Sequence, residues 1–404
     1  MMQWTPLLFL LVGVVAPASA QTVSVWEERR DAEKNKSPYI HRVFEYRPAP
    51  GQFINSPGTG DNAAAESIAG GVDGLVSLGG FGGYIIVGFD HKVWNDPDNP
   101  YGVDFTVVSN AAANSSEPAA VMVAVDANGN GLPDDAWYEL KGSSYDATNT
   151  VHRYGITYTR PERQTDGIPW TDSRGESGLI NAMPTHTQPY YPLPEYFPGY
   201  PQEEVTFSGT LVAPDVDESN PYFIRIRPLP FGYADNKPFN RTIRPYAPDN
   251  PATPDITEGS GGDAFDIDWA VDENGIPVRL EGIDFIKIYT AVNVHAGWLG
   301  ELSAEICGVV DVAPDNVAAV SLPGSQSGVQ IYPSPASEYL HIRLTDNRPV
   351  THIEIWNMAG RSVYRSQNAA HLHAVSVREY PEGIYIIRIR DGERWITRKI
   401  SVRH

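Results

Sequence analysis

The sequence predicts an all-β protein built as two sandwiches, a large one followed by a small one. Three observations carry that reading. Gly (36) and Pro (34) are spread along all 404 residues and cut the chain into segments too short for long helices. Between them recur strand-length runs of β-branched and aromatic residues: Tyr84–Phe89, Phe105–Val108, Val121–Val125, Tyr222–Ile226 and Phe285–Tyr289. Helical periodicity is confined to short pieces such as Ala63–Ala69. Sheet packed on sheet is then the way left to bury a core.

At the N-terminus, Pro6–Ala16 is an apolar run too short to span a bilayer, and it ends in Pro17-Ala-Ser-Ala20 before Gln21. This small-x-small ending predicts a cleaved signal peptide over residues 1–20, although Lys and Arg are missing from its first residues. No later run reaches the roughly 20 apolar residues of a membrane helix, so no spanning segment is expected. Residues 21–313 read as the body, the Pro/Gly/Ser/Ala-rich residues 314–328 as a linker, and residues 329–404 as a separate C-terminal unit. Cys307, the single cysteine, rules out an intrachain disulfide and sits in an apolar alternation that predicts a buried, inert thiol.

The net charge of −20 is unevenly placed. Residues 329–404 hold 11 Lys and Arg against 7 Asp and Glu, a balance of +4, which leaves −24 on the rest. A body that acidic repels nucleic acid and anionic membrane, so neither is an expected partner.

Turn chemistry supplies the sharpest local motif. Asp126-x-Asn128-x-Asn130-Gly131-Leu132-Pro133-Asp134-Asp135 places oxygen side chains at positions 1, 3 and 5 and Gly at position 6 of a Ca²⁺-type loop. The Leu132 carbonyl falls at position 7 and Asp134 at position 9, with Asp135 beside it. Trp137 stands at position 12, where a bidentate Glu belongs, and the nearest acid is Glu139. The reading is divided between a weak Ca²⁺ site, with Ca²⁺ as the candidate cofactor, and a metal-free turn. The same Asn-Gly chemistry recurs after Val271.

Asp166–Gln202 reads as a long irregular stretch dense in Pro and aromatics: Trp170, Tyr190, Tyr191, Tyr196, Phe197 and Tyr200. Such a loop is often functional. Trp170, Tyr190, Tyr191 and the loop histidine His186 are therefore the candidate ligand contacts, the alternative being that the rings cover the flank of the sandwich. Metalloprotease, nucleophile-elbow, phosphate-loop and paired-cysteine motifs are missing from the sequence, and no catalytic residue is nominated.

The C-terminal unit runs through Val329-Gln-Ile-Tyr-Pro-Ser-Pro-Ala-Ser337, Leu340–Leu344, Ile353-Glu-Ile-Trp-Asn-Met-Ala-Gly-Arg361, Gly383-Ile-Tyr-Ile-Ile-Arg-Ile389 and Thr397-Arg-Lys-Ile400. Alternation and turn spacing alone give a small Ig-like sandwich. These residues resemble the sorting domain of the type IX secretion system: a Tyr-Pro-Asn-Pro-like entry, with Ser334 in place of Asn, a Gly-Arg turn, a Gly-x-Tyr strand and a closing Thr-x-Lys strand. The resemblance implies passage across the outer membrane by the secretion machinery, removal of the domain, and release or surface attachment of the body.

The body resembles secreted proteins known only as "cell surface protein". The resemblance rests on Val43–Asn55, Ser77–Asp90, Asp126–Glu139 and Phe265–Asp272. It implies a jelly-roll-like, galactose-binding-like sandwich; some relatives are associated with cobalamin, with no residue here mapped to that role. The expected protein is extracellular or on the outer cell surface, where it binds a glycan or small nutrient without catalysis. The alternative is a secreted glycan-active hydrolase.

Overall fold

A computed structural model describes residues 36–97, 99–243, 246–314, 329–332, 336–344, 352–357, 361–367, 372–391 and 394–404. The signal peptide reading and nearly all of the linker lie outside them.

The described residues hold one short α-helix, α1 (Asn62–Ser67), and strands throughout. Asp61 starts the helix by accepting from Ala64 N at 2.7 Å, which satisfies one of the donors left open at a helix N-terminus. The body strands are β1 (Arg42–Arg47), β2 (Val76–Ser77), β3 (Tyr84–Trp94), β4 (Phe105–Ser109), β5 (Ala119–Ala124), β6 (Trp137–Leu140), β7 (Val151–Thr159), β8 (Ile168–Asp172), β9 (Ser177–Ile180), β10 (Glu204–Leu211), β11 (Asp215–Asp217), β12 (Arg225–Arg227), β13 (Asp263–Phe265), β14 (Ala270–Val271), β15 (Gly282–Thr290) and β16 (Glu305–Asp311).

Two antiparallel sheets form the sandwich, one in the order β1-β3-β15-β5-β6-β14 and the other β13-β4-β16-β2. Their facing side chains make one core: Ile85, Val87, Val121, Val123 and Ile288 from the first, with Phe105, Val107, Phe265, Ile306 and Val309 from the second. The chain passes from sheet to sheet between β3, β4 and β5 and again between β15 and β16, as the expected all-β sandwich requires. Glycines set the approach of the Ser77–Asp90 segment. Gly79 has φ +73, and a Cβ there would lie 2.0 Å from the Ala49 carbonyl oxygen; a Cβ on Gly83 would lie 1.9 Å from that of Leu78. No side chain fits either place.

A third sheet, β10-β7-β8-β9, carries a second core. Here the expectation of an irregular Asp166–Gln202 stretch is corrected, because its first part is the β8–β9 hairpin. Asp172 Oδ1 accepts from Arg174 N and Glu176 N and so folds the turn without hydrophobic help. One other expectation is adjusted: the Tyr222–Ile226 run enters strand only at Arg225. His91 lies inside β3, buried between Asp90 Oδ1 at 2.6 Å and Asp311 Oδ2 at 2.8 Å.

The described residues of the C-terminal unit form the strands β17 (Val329–Tyr332), β18 (Tyr339–Leu344), β19 (His352–Asn357), β20 (Ser362–Gln367), β21 (Leu372–Ser376), β22 (Gly383–Asp391) and β23 (Arg394–Val402). They form sheets β17-β18-β21 and β20-β19-β22-β23. Alternate residues Leu340, Ile342, Ile353, Ile355, Ile387, Ile389 and Ile400 point into a core drawn only from this unit.

Candidate functional site

The Asp126 loop joins β5 to β6 and is exposed along most of its length. Its polar side chains converge. Asp126 Oδ1 accepts from Asn130 N at 3.0 Å and Oδ2 from Gly131 N at 2.9 Å. Asn130 Oδ1 accepts from Leu132 N at 2.7 Å, and the side-chain amides of Asn128 and Asn130 both donate to the Asp134 carboxylate. Those amide hydrogen bonds hold the exposed Asp134 below the usual carboxylate range. Asp135 Oδ2 accepts from Ala127 N at 3.0 Å, closing the base of the loop. Glu139 turns away. It accepts from Thr210 Oγ1 at 2.8 Å, and burial pushes it up to about 7, so it completes no ligand set in the loop. The structure thus brings Asp126, Asn128, Asn130 and Asp134 together, while the exposed Leu132 side chain contributes nothing.

The aromatic candidates divide. Tyr190 and Tyr191 are each 2 % exposed and belong to the second core with Phe197 and Tyr200. Their hydroxyls are also committed: Tyr190 Oη accepts from Met183 N at 2.9 Å, and Tyr191 Oη donates to the Pro201 carbonyl at 3.1 Å. Burial removes both rings from any open ligand face, which corrects their reading as stacking contacts. The reason is visible across the chain: Asn55, itself buried, donates to the carbonyls of Pro189 and Tyr191 and accepts from Leu193 N, pinning the loop inward. Trp170 stays half-buried in β8, its indole lying over its cross-strand partner Gly178. His186 is half-buried with its ring 4.8 Å from that of Phe53.

Exposed rings occur elsewhere. Tyr222 is 90 % exposed, Phe223 55 % and Trp298 56 %. The two segments adjoin, since a Cβ on Gly297 would lie 2.6 Å from Ile224 Cδ1. The Arg225 guanidinium sits 5.2 Å from the Phe223 ring centroid.

The feature that sequence reasoning missed is a group of carboxylates, two buried and one half-buried. Glu117, Asp235 and Glu305 present oxygens that all lie within 4.8 Å of one another. Glu117 precedes β5, Asp235 lies between β12 and β13, and Glu305 opens β16. Backbone bonds tie the three segments together: Glu117 N donates to the Asp235 carbonyl at 2.8 Å and Glu305 N to Asp235 Oδ2 at 2.7 Å. Glu305 also accepts from the hydroxyls of Ser77 and Ser303. Burial, reinforced by mutual repulsion, raises the pKa of Glu117 and of Asp235, and burial raises that of Glu305. Among the described residues none of the three pairs with Lys, Arg or His. Cys307, two residues on, is buried as expected, and burial pushes its thiol up to about 11.

Comparison with known proteins decides the C-terminal unit. Residues 330–403 match the sequence model of the family described as "Secretion system C-terminal sorting domain". The end of this chain is a type IX secretion sorting domain. It directs the protein through type IX secretion to the cell surface or the extracellular space. No helix among the described residues is long and apolar enough to cross a membrane. A comparison with curated proteins gave no match. Among solved structures, a similar chain comes from work on PorZ, an essential surface component of the type-IX secretion system of Porphyromonas gingivalis. Identity is 15 % over 24 % of this chain and 14 % of that one, with a TM-score of 0.18, which is too slight a likeness to support an argument.

Proposed function

We propose that the sorting domain delivers a non-catalytic binding protein, with residues 21–313 as the mature body, cut from a signal peptide over residues 1–20 and joined by the linker 314–328. Its ligand is a neutral glycan or similar small nutrient. The observation that supports binding is the adjoining pair of segments bearing Tyr222, Phe223 and Trp298, whose rings face solvent. Large exposed rings cost burial elsewhere and offer stacking area with few rotors to immobilise. The −24 balance outside residues 329–404 favours an uncharged ligand over a polyanion. Trp170 and His186, half-exposed, stay as secondary contacts. The Asp126 loop holds Ca²⁺ weakly, through Asp126, Asn128, Asn130, Asp134 and the Leu132 carbonyl, and stiffens the β5–β6 connection.

Titration of the full chain with a panel of neutral oligosaccharides tests the reading. Binding without bond cleavage, weakened at least tenfold by Trp298→Ala or Tyr222→Ala, is the expected result. Released sugar products would make the protein a hydrolase instead, and binding indifferent to both substitutions would move the ligand to another face.

A further inference from the structure

We propose that Glu117, Asp235 and Glu305 form a second, internal cation site that takes Ca²⁺. Three carboxylates gathered within 4.8 Å, two of them buried and one half-buried, with no cationic side chain among the described residues paired to any of them, cannot all stay ionised unless something positive sits among them. A divalent ion supplies that charge.

A second observation points to an occupant. Asp235 is 1 % exposed, and while Oδ2 accepts from Glu305 N, its Oδ1 is buried without any hydrogen-bond partner. A buried carboxylate oxygen left bare is costly, because the lost hydration is replaced by nothing. An ion bound by that oxygen repairs the deficit.

The donors select the ion. Three carboxylates with hydroxyls beside them make an all-protein oxygen set, which suits Ca²⁺, whereas Mg²⁺ keeps several waters and is usually held by one or two carboxylates. Further oxygens are close at hand: the Ser77 and Ser303 hydroxyls lie 2.9 and 3.0 Å from Glu305 Oε1. The site differs from the Asp126 loop in kind. It draws on three distant segments and ties β16 to the loops before β5 and β13, so its ion would act as an internal brace.

The test uses the full chain carrying Asp126→Ala, which removes the surface loop from the count. After chelator treatment and dialysis against micromolar Ca²⁺, atomic absorption should find one ion per chain, and Ca²⁺ should raise the melting temperature relative to EDTA. Asp235→Asn and Glu117→Gln, which keep shape and lose charge, should weaken Ca²⁺ binding at least tenfold and erase the melting shift. Mg²⁺ should substitute poorly. If the amide variants do not fold, the stoichiometry of the Asp126→Ala chain decides alone: one ion supports the site and none overturns it. Ca²⁺ held equally well by the amide variants would place the ion elsewhere and also overturn it. So would amide variants that melt no lower than their parent in either condition, which would mean that the carboxylates share protons rather than a metal.

Discussion

The sorting domain and the body bury their cores by the same alternation but assemble them differently. In residues 329–404, every strand pairs within the unit and every described core residue comes from it. In the body, contacts reach across the chain. Asn55 holds the loop at 189–193, His91 meets Asp311, and three carboxylates from positions 117, 235 and 305 lie within 4.8 Å of one another. The charges also differ, +4 in residues 329–404 against −24 on the rest of the chain.

Several substitutions would break or sharpen that contrast. The largest effect is expected in the second core. Tyr190→Ala and Tyr191→Ala each empty a site that is 2 % exposed and should cost about 3–5 kcal/mol in urea unfolding. The β17–β23 unit should keep its own melt. A loss far below that range would return these rings to the surface and the ligand.

Next in size is a pH effect. Burial pushes Asp104 up to about 8 and Glu139 to about 7. The folded chain therefore holds protons that the unfolded chain, with carboxyls near 4, has already released. Stability then falls as pH rises from about 4 toward the folded values, by on the order of 1 kcal/mol per pH unit. His91 adds the same sign above about pH 6.5: although burial lowers its pKa, hydrogen bonds to Asp311 and Asp90 raise it overall. Denaturant titrations at pH 5, 6.5 and 8 in EDTA check this. Stability rising over the same interval would contradict it, and Asp104→Asn should flatten the slope.

A smaller shift belongs to the Asp126 loop. At tenfold excess over Kd, Ca²⁺ should stabilise the native state by about 1.4 kcal/mol at this site, and Asp126→Ala should remove that part of the gain. Unchanged Ca²⁺ dependence would leave the loop a turn. The smallest effect is reserved for the exposed ring: Tyr222→Ala should alter stability by no more than about 0.5 kcal/mol while weakening the glycan.

What could be read in advance follows the same division. The sorting domain was legible because its motifs are short alternating runs; Ile353–Asn357 lies in β19 and Gly383–Ile389 in β22, as the alternation predicts. The Asp126 loop was legible for the same reason. The aromatic loop was legible in composition but not in orientation, because Asn55, more than 130 residues earlier, turns the rings inward. The carboxylate group was not legible at all. Glu117, Asp235 and Glu305 lie in unremarkable local sequence among 50 acidic residues, and only strand pairing brings them together.

The independence of the sorting domain from the body is expected to show on truncation. Deleting residues 329–404 and fractionating the cells tests it. The expected result is a truncated body that resists protease and binds its ligand like the full chain, yet is found only inside the outer membrane. Normal arrival of the truncated body at the surface or in the medium would contradict the account.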